Sequence, residues 1–342
     1  MIKNSIERKN NIIGIGLVSG GLDSLIACLL IKLQGIKVIG VHFKSPFCTS
    51  ENISNAYAIS LDLFKKKLGI DIHTLYIKDD YLSIIRNPKY GYGKNLNPCI
   101  DCRIYFLKQA KKFQEKEGAD FIFTGEVLNQ RPKSQHLNAL NVVEKESGLE
   151  GKLLRPLSAL HLKPTIYEKK GLINRSNLLG IKGRSRKKQL ELAKKYDLLQ
   201  EYYASGGCLL TDIHFVSRMQ DYLRFNDPLE ISSIDILKYG RHFRYKQSKI
   251  IIGRNESENK MLLNLKKPAD LIMEAKDDVG PITIIQGPTD DEVINYAAML
   301  TLRYSDYSGL VGDVNYGKNY NEFNHTITVK KAPKDIIKMY IL

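Results

Sequence analysis

No apolar run in the 342 residues approaches the ~18 needed to cross a bilayer as a helix, so a membrane protein is not expected. The first ten residues, MIKNSIERKN, are polar and charged, which is not the pattern of a signal peptide. Cysteine is sparse: the five thiols are an odd number without a secretory context, which argues against a disulfide framework and for a cytoplasmic thiol set. Acidic residues are in deficit, with 37 Asp and Glu against 52 Lys and Arg. The net charge of +15 favours polyanionic partners, nucleic acid first. There is no internal repeat and no low-complexity tract. Two common nucleotide motifs are missing as well: neither Gly-x4-Gly-Lys-Ser nor Gly-x-Gly-x-x-Gly occurs at the first glycine turn.

What is present is alternation. The apolar run at 12–18 predicts a buried strand, and Leu22, Leu25, Ile26, Leu29, Leu30 and Leu33 follow at helical spacing up to Gly35. Further strands are predicted from Lys37, Ile72 and Asp120, with helices over 52–68 and 99–118. Short strands alternating with helices predict an α/β, Rossmann-like, mostly parallel sheet over residues 1–157. A small helical, basic segment is expected over 158–227, and an α+β domain over 228–342. In the last domain, strands are expected at Lys249-III, 269–275, Ile282-TIIQ, 309–317 and His325-TITVKK, with a helix over 290–304.

Between the first strand and helix lies Ser19-Gly20-Gly21-Leu22-Asp23-Ser24. A glycine turn running into a helix N-terminus suits an anion: first-turn N–H groups lack intrahelical partners and the helix dipole adds positive potential. The six residues resemble the PP-loop of the ATP pyrophosphatase superfamily, whose members split ATP into AMP and pyrophosphate. The resemblance implies ATP and Mg²⁺ as cofactors, with pyrophosphate on this loop. Asp23 is the carboxylate candidate for Mg²⁺ or for positioning the attacking carbonyl; a helix-start acid would look the same.

Three more stretches narrow the family. TGEVLNQRPKSQ, from Thr124 to Gln135, resembles a motif of tRNA 4-thiouridine synthases, with Asn129 where a second glycine is usual. It adds Thr124, Gly125 and Arg131 to the ATP-site candidates, and His42 on the second strand is placed there too. Asn97-Pro98-Cys99-Ile100-Asp101-Cys102 resembles the Asn-Pro-(Asp/Cys)-x-x-Cys stretch of tRNA 2-thiouridylases. Pro98 would start a helix with both thiols in its first turn, where the dipole favours thiolate. Gly206-Gly207-Cys208 supplies a third thiol. Enzymes with this pattern either carry a persulfide on one cysteine that another resolves, or hold a 4Fe–4S cluster on three cysteines. The cluster is the favoured expectation for Cys99, Cys102 and Cys208, and a structural zinc would want a fourth ligand. Cys28 reads as core, and Cys48 is uncommitted.

Arg184, Arg186, Lys187 and Lys188 open a predicted helix, where cations oppose the dipole and a phosphate backbone would explain them. Residues from Lys249 onward resemble an NFACT-R-type RNA-binding domain, with Arg254, Asn255 and Asn259 in its motif and Arg241, His242 and Arg244 just before it. Together these resemblances imply an ATP-dependent tRNA sulfurtransferase. Its partners would be tRNA and an external sulfur donor, sulfide or a cysteine desulfurase. The Thr124 motif leans to 4-thiouridine and the CxxC to 2-thiouridine; 4-thiouridine is favoured. A small-molecule PP-loop ligase or amidotransferase and an RNA-binding module with an inactive ATP loop are the alternatives, and a homodimer is left open.

Overall fold

The computed structural model describes residues 12–48, 64–198, 207–226, 228–320 and 322–342. The chain divides into two compact units, Met1–Thr211 and Asp212–Leu342.

The first unit is built on a five-stranded parallel sheet, β1 (Ile13–Leu17), β2 (Lys37–Lys44), β3 (Asp71–Tyr76), β4 (Phe121–Thr124) and β5 (Leu153–Leu154), in the order β3-β2-β1-β4-β5. Order reverses at β1, which pairs with β2 on one side (Ile15↔Ile39) and with β4 on the other (Ile15↔Ile122). Such a switch point leaves a crevice at the carboxyl ends of the strands, where α/β sheets bind ligands. Helix α1 (Leu22–Lys32) follows β1; α2 (Asp80–Arg86), α3 (Cys99–Glu117) and α4 (Leu137–Ser147) lie between later strands. Side chains alternate across the sheet, as strands require. Phe121 and Phe123 join the core under α1, whereas Ile122 and Ile15 join the core under α3 and α4.

This bears out the Rossmann-like parallel sheet. The sequence missed α2, α4 and the two-residue β5, which are short or weakly periodic. Of the predicted helix over 52–68, residues 64–68 are helical and the rest lies outside the described residues.

The described parts of the segment expected over 158–227 divide between the two units. Its first part belongs to the sheet's α1 face: Ile173, Leu178, Ile181, Ala193 and Leu198 share one buried cluster with Leu25, Ile26 and Leu29. Backbone bonds Leu179 N to Pro156 O and Ile181 N to Leu157 O stitch it down. After a short turn of helix α5 (Ile166–Lys169), α6 (Lys187–Lys195) carries the basic run, starting later than predicted with Arg186 as its N-cap. The last part, α7 (Ile213–Phe225), belongs to the second unit.

The second unit is α+β, as expected. Its six-stranded antiparallel sheet comprises β6 (Arg241–Tyr245), β7 (Ser248–Ile252), β8 (Leu271–Ala275), β9 (Thr283–Gln286), β10 (Val311–Gly317) and β11 (His325–Lys330), in the order β11-β10-β8-β9-β7-β6. Helix α9 (Asp291–Tyr304), capped by Asp290, packs Val293, Ala297 and Leu300 onto the sheet core. The unit also has α8 (Glu256–Leu265) and α10 (Lys334–Tyr340).

Several residues expected to meet RNA are engaged within this unit. Arg244 makes a two-pronged ion pair with buried Asp221 at 2.7 and 2.8 Å, and stacks on Phe225. Buried Lys249 joins the same carboxylate at 3.2 Å. Arg254 pairs with Glu258, whose carboxylate also takes the N–H of Gly240. Asn255 caps α8, and Asn259 bonds Gly280 O and Ile282 N. Arg241 lies over the ring of Tyr304, 4.5 Å from its centroid. Arg244, Asn255 and Asn259 are therefore framework residues: the motif reads as a loop-stitching device.

Burial alone would raise the Asp221 pKa, but Arg244 and Lys249 outweigh it and hold the carboxyl below its usual range. Burial pushes Lys249 down to about 8. The Asp221 contribution is therefore complete above the ordinary carboxylate pKa of ~3.9 and is lost as pH falls through the depressed folded value. Lys249 acts in the same direction in a higher window: from about 8 up to its unfolded value near ~10.4, the folded unit binds fewer protons, so its contribution also rises with pH. Asp221→Ala leaves buried Lys249 unpaired and Arg244 without its carboxylate, and should cost about 3–5 kcal/mol at neutral pH. Faster hydrogen exchange confined to β6 and β7 and their neighbours is the expected signature, and the wild type should show the same loosening in acid.

Candidate functional site

At the carboxyl ends of β1, β2 and β4 opens a cavity of about 550 Å³. The glycine turn forms its floor. The Ser24 hydroxyl donates to Gly21 O at 2.7 Å, folding the turn over the start of α1. Gly20 has φ +76°, a conformation glycine adopts without strain. No side chain caps α1, whose N-cap is Gly21. Asp23 accepts from Gln130 Nε2 at 3.1 Å and from Gln189 Nε2 at 3.2 Å, with Arg186 Nη2 at 3.8 Å. The carboxylate thus ties together α1, the loop after β4 and α6.

The loop after β4 comes so close to the turn that a Cβ on Gly125 would stand 2.6 Å from Ser24 N and 2.7 Å from Asp23 O. Both contacts are backbone and cannot swing away. Gly125→Ala should displace the turn, at a cost of about 1–3 kcal/mol. If the cavity binds ATP, affinity should fall roughly 5- to 150-fold, measurable by calorimetry. Asn129, which stands where the resembling motif has glycine, has φ +61°. Asparagine tolerates the left-handed region better than most residues, which explains how the substitution keeps the loop.

Buried Thr124 donates to Glu126 Oε2 at 3.1 Å. Glu126 is 2% exposed and sits between Arg103 (3.1 Å) and Arg155 (3.0 Å). Burial alone would raise its pKa, but Arg103 and Arg155 pull it below the usual value. Arg155, also fully buried, bonds Glu144 of α4 in addition. His42 donates Nδ1–H to Val18 O at 2.9 Å, and burial lowers its pKa, so the ring is neutral near pH 7.

Arg103, Arg131 and Arg186 all line the cavity. Burial and the nearby Arg103 lower the Arg131 pKa, so guanidinium charges are crowded here. An anion between them would relieve that repulsion. Arg186, read from the sequence as an RNA contact, is thus part of the cavity, while Arg184, Lys187 and Lys188 are exposed on the outside.

Cys99, Cys102 and Cys208 line the same cavity, and so does Cys48. Cys99 is the first residue of α3 and donates its thiol to Asn97 Oδ1 at 3.0 Å. The Cys102 thiol is hydrogen-bonded with Tyr81. Cys208 is brought to α3 by bonds from Leu96 N to Leu210 O and from Asn95 Nδ2 to Thr211 O. The expectation of easy thiolates at the start of α3 is overturned. Burial pushes Cys99 up, Cys102 to about 11 and Cys208 to about 12. That outweighs the ~0.3–1 kcal/mol a helix N-terminus contributes, and for Cys99 the nearby Arg131 and Arg103 offset only part of it. Among the described residues no group of three His, Cys, Asp or Glu is placed to hold a metal ion. Cys28 is fully buried under the sheet, away from these four.

Sequence reading missed Arg103, Glu126, Arg155, Gln130 and Gln189, whose partners lie on other elements. Among the described residues no helix is long and apolar enough to cross a membrane.

Comparison with known proteins adds the following. A family model described as thiamine biosynthesis protein (ThiI) matches residues 12–175, and one described as NFACT protein RNA binding domain matches residues 240–341. The tRNA-specific 2-thiouridylase MnmA of Karelsulcia muelleri (strain GWSS) is 28% identical over 267 residues, 74% of this chain and 63% of the relative. That of Proteus mirabilis (strain HI4320) is 27% identical over 252 residues, 69% of this chain and 62% of the relative. The chain thus spans under two thirds of the length of these curated relatives. A solved 4-thiouridine synthetase–RNA complex with bound ATP is 20% identical, covering 55% of this chain and 52% of that one, with a TM-score of 0.34. Residues 12–175 are thus similar to the thiamine biosynthesis protein (ThiI) family, and residues 240–341 of the same chain to the NFACT RNA binding domain family.

Proposed function

We propose that this chain is an ATP-dependent tRNA sulfurtransferase that adenylates a uridine carbonyl oxygen and replaces it with sulfur. One observation carries the reading: the glycine turn, three arginines and four thiols line a single cavity at the switch point of the sheet. The relatives named as tRNA 2-thiouridylases and the RNA-binding family at residues 240–341 support tRNA as substrate.

ATP places its pyrophosphate against the turn at residues 19–24, with Arg131 and Arg186 beside it. Asp23, at the start of α1, is the carboxylate that would face Mg²⁺, and the ion would shield the phosphate charge. The uridine oxygen attacks the α-phosphate and pyrophosphate leaves. A carbonyl oxygen is a poor leaving group, but as an AMP ester it departs readily when sulfur attacks the carbon. The uridine must leave its stack to enter the cavity. Guanidinium groups fixed in advance stabilise the charge that develops on the departing phosphates.

Cys99, Cys102 and Cys208 are the residues that would hold the 4Fe–4S cluster implied by the resemblance, and such a cluster would present an exchangeable sulfide on its open iron. The all-thiol donor set suits it, but the thiols are not gathered into a coordinating group as they stand. No step above depends on it. The motif from Thr124 to Gln135 favours 4-thiouridine as the product, and the sulfur donor is external.

The reading predicts AMP and pyrophosphate release that requires tRNA. A chain that releases AMP with amino-acid or nucleotide substrates and no RNA would instead be a small-molecule ligase.

A further inference from the structure

The start of α6 has an outer and an inner side. Five cations and no acid stand between Lys182 and Leu190. Arg186 turns to the cavity, whereas Arg184, Lys187 and Lys188 are exposed and carry no ion pair among the described residues. The helix gains nothing from them there. Cations at an N-terminus oppose the dipole, while Lys194 and Lys195 at the other end suit it. Nine residues are also too few for a helix to persist alone in water. The first turn is therefore the weak point of α6, and phosphate beside it would remove the repulsion. The inner side reaches Asp23 through Gln189. That side chain is fully buried, and its single hydrogen bond among the described residues runs from Nε2 to Asp23 Oδ1 at 3.2 Å. Oε1 is equally buried and has no donor. A buried amide with one orphan end costs stability, and an apolar side chain of the same shape would be neutral or better. Packing therefore does not account for Gln189, but its grip on Asp23 does. With Gln130 on the other carboxylate oxygen, it fixes the carboxylate at the start of α1.

We propose that the outer side of α6 docks the phosphate backbone of tRNA, and that Gln189 is the positioning residue that passes this docking to Asp23. This rests on the sulfurtransferase reading and supplies its dependence on tRNA. Arg184, Lys187 and Lys188 are one or two residues from Arg186, so they stand at the rim of the cavity, where the backbone flanking an inserted uridine lies. Phosphates held there position the RNA and carry no sequence information. A bound phosphate firms the first turn of α6, and the firm turn keeps Gln189 on Asp23. A carboxylate fixed in advance costs less to order when nucleotide binds. By linkage, bound nucleotide tightens tRNA by the same factor. Without RNA the first turn is loosely wound, Asp23 is loosely held, and ATP is not split in the absence of a uridine.

The test measures binding to the full chain, with α,β-methylene ATP as the nucleotide so that nothing turns over. Saturating tRNA should raise the affinity for this analogue at least about fivefold, and saturating analogue should raise the affinity for tRNA equally. Gln189→Met, which keeps the volume and removes the amide, should melt no lower than the wild type. It should bind tRNA alone as the wild type does and lose the coupling in both directions. Replacing Arg184, Lys187 and Lys188 together by glutamine should flatten the slope of log affinity for tRNA against log salt by roughly 2–3. No coupling in the wild type, full coupling in Gln189→Met, a sharply lower melting temperature for that variant, or an unchanged salt slope each overturns the proposal. Coupling in a wild type that forms no thiouridine from ATP, tRNA and a persulfide source would sink the sulfurtransferase reading alone.

Discussion

Replacing Cys208 by serine should remove tRNA thiolation, with a loss on the order of 10³-fold or more, while ATP binding survives. The separation follows from position. Cys208 reaches the cavity on the segment bonded to Phe47, Asn95 and Leu96, whereas the phosphate end is built from the turn after β1, the loop after β4 and α6. A hydroxyl fills the space of the thiol but carries no transferable sulfur. Calorimetry with ATP and nucleoside mass spectrometry on the same preparation check both halves. Retained thiolation would remove Cys208 from the sulfur step, and lost ATP binding would show that the variant disturbs the fold.

The second large effect concerns Glu126. Its carboxylate neutralises Arg155, which is 2% exposed, and anchors Arg103 at the cavity wall. Glu126→Ala leaves Arg155 with Glu144 alone and Arg103 without its anchor. Removing one member of a buried ionic network costs about 3–5 kcal/mol, which for a unit of this size lowers the melting temperature by roughly 6–20 °C. Glu126→Gln, which keeps an acceptor, should lose less. Because the Glu126 pKa is depressed, its contribution is complete above the unfolded value of ~4.3 and disappears as pH falls through the folded one. The difference between wild type and Glu126→Ala should therefore shrink in acid. An unchanged melting temperature at neutral pH would contradict the assigned network.

The parts of the fold that were legible in the sequence are those written in local periodicity. The strand at Ile13–Leu17, the helix from Leu22 and the strands of the second unit other than β6 (Arg241–Tyr245) each announce themselves within a few residues. The glycine turn and the Cys99-Cys102 stretch were legible for the same reason. What was not legible is made by the chain returning on itself. Gln189 meets Asp23 across 166 residues of sequence, and Arg155 meets Glu126 across 29. Nothing in the local pattern around Gln189 announces a partner. Arg186 is instructive: in the sequence it belongs to a basic run with Arg184, Lys187 and Lys188, yet the N-terminus of α6 turns it alone of the four to the cavity. Arg244 carries a partner the sequence did not show, the buried carboxylate of Asp221. The thiolate expectation failed because local helix geometry was weighed without burial, and burial is a tertiary property.

Whether uridine gains sulfur decides the proposed function. The direct measurement is mass spectrometry of nucleosides from tRNA incubated with the purified chain, ATP, Mg²⁺ and a persulfide source. A thiouridine, 4-thiouridine by the reading favoured here, should appear only when ATP and the chain are both present, and should vanish with Cys208→Ser. AMP formation that needs no RNA and leaves every uridine unmodified would contradict it.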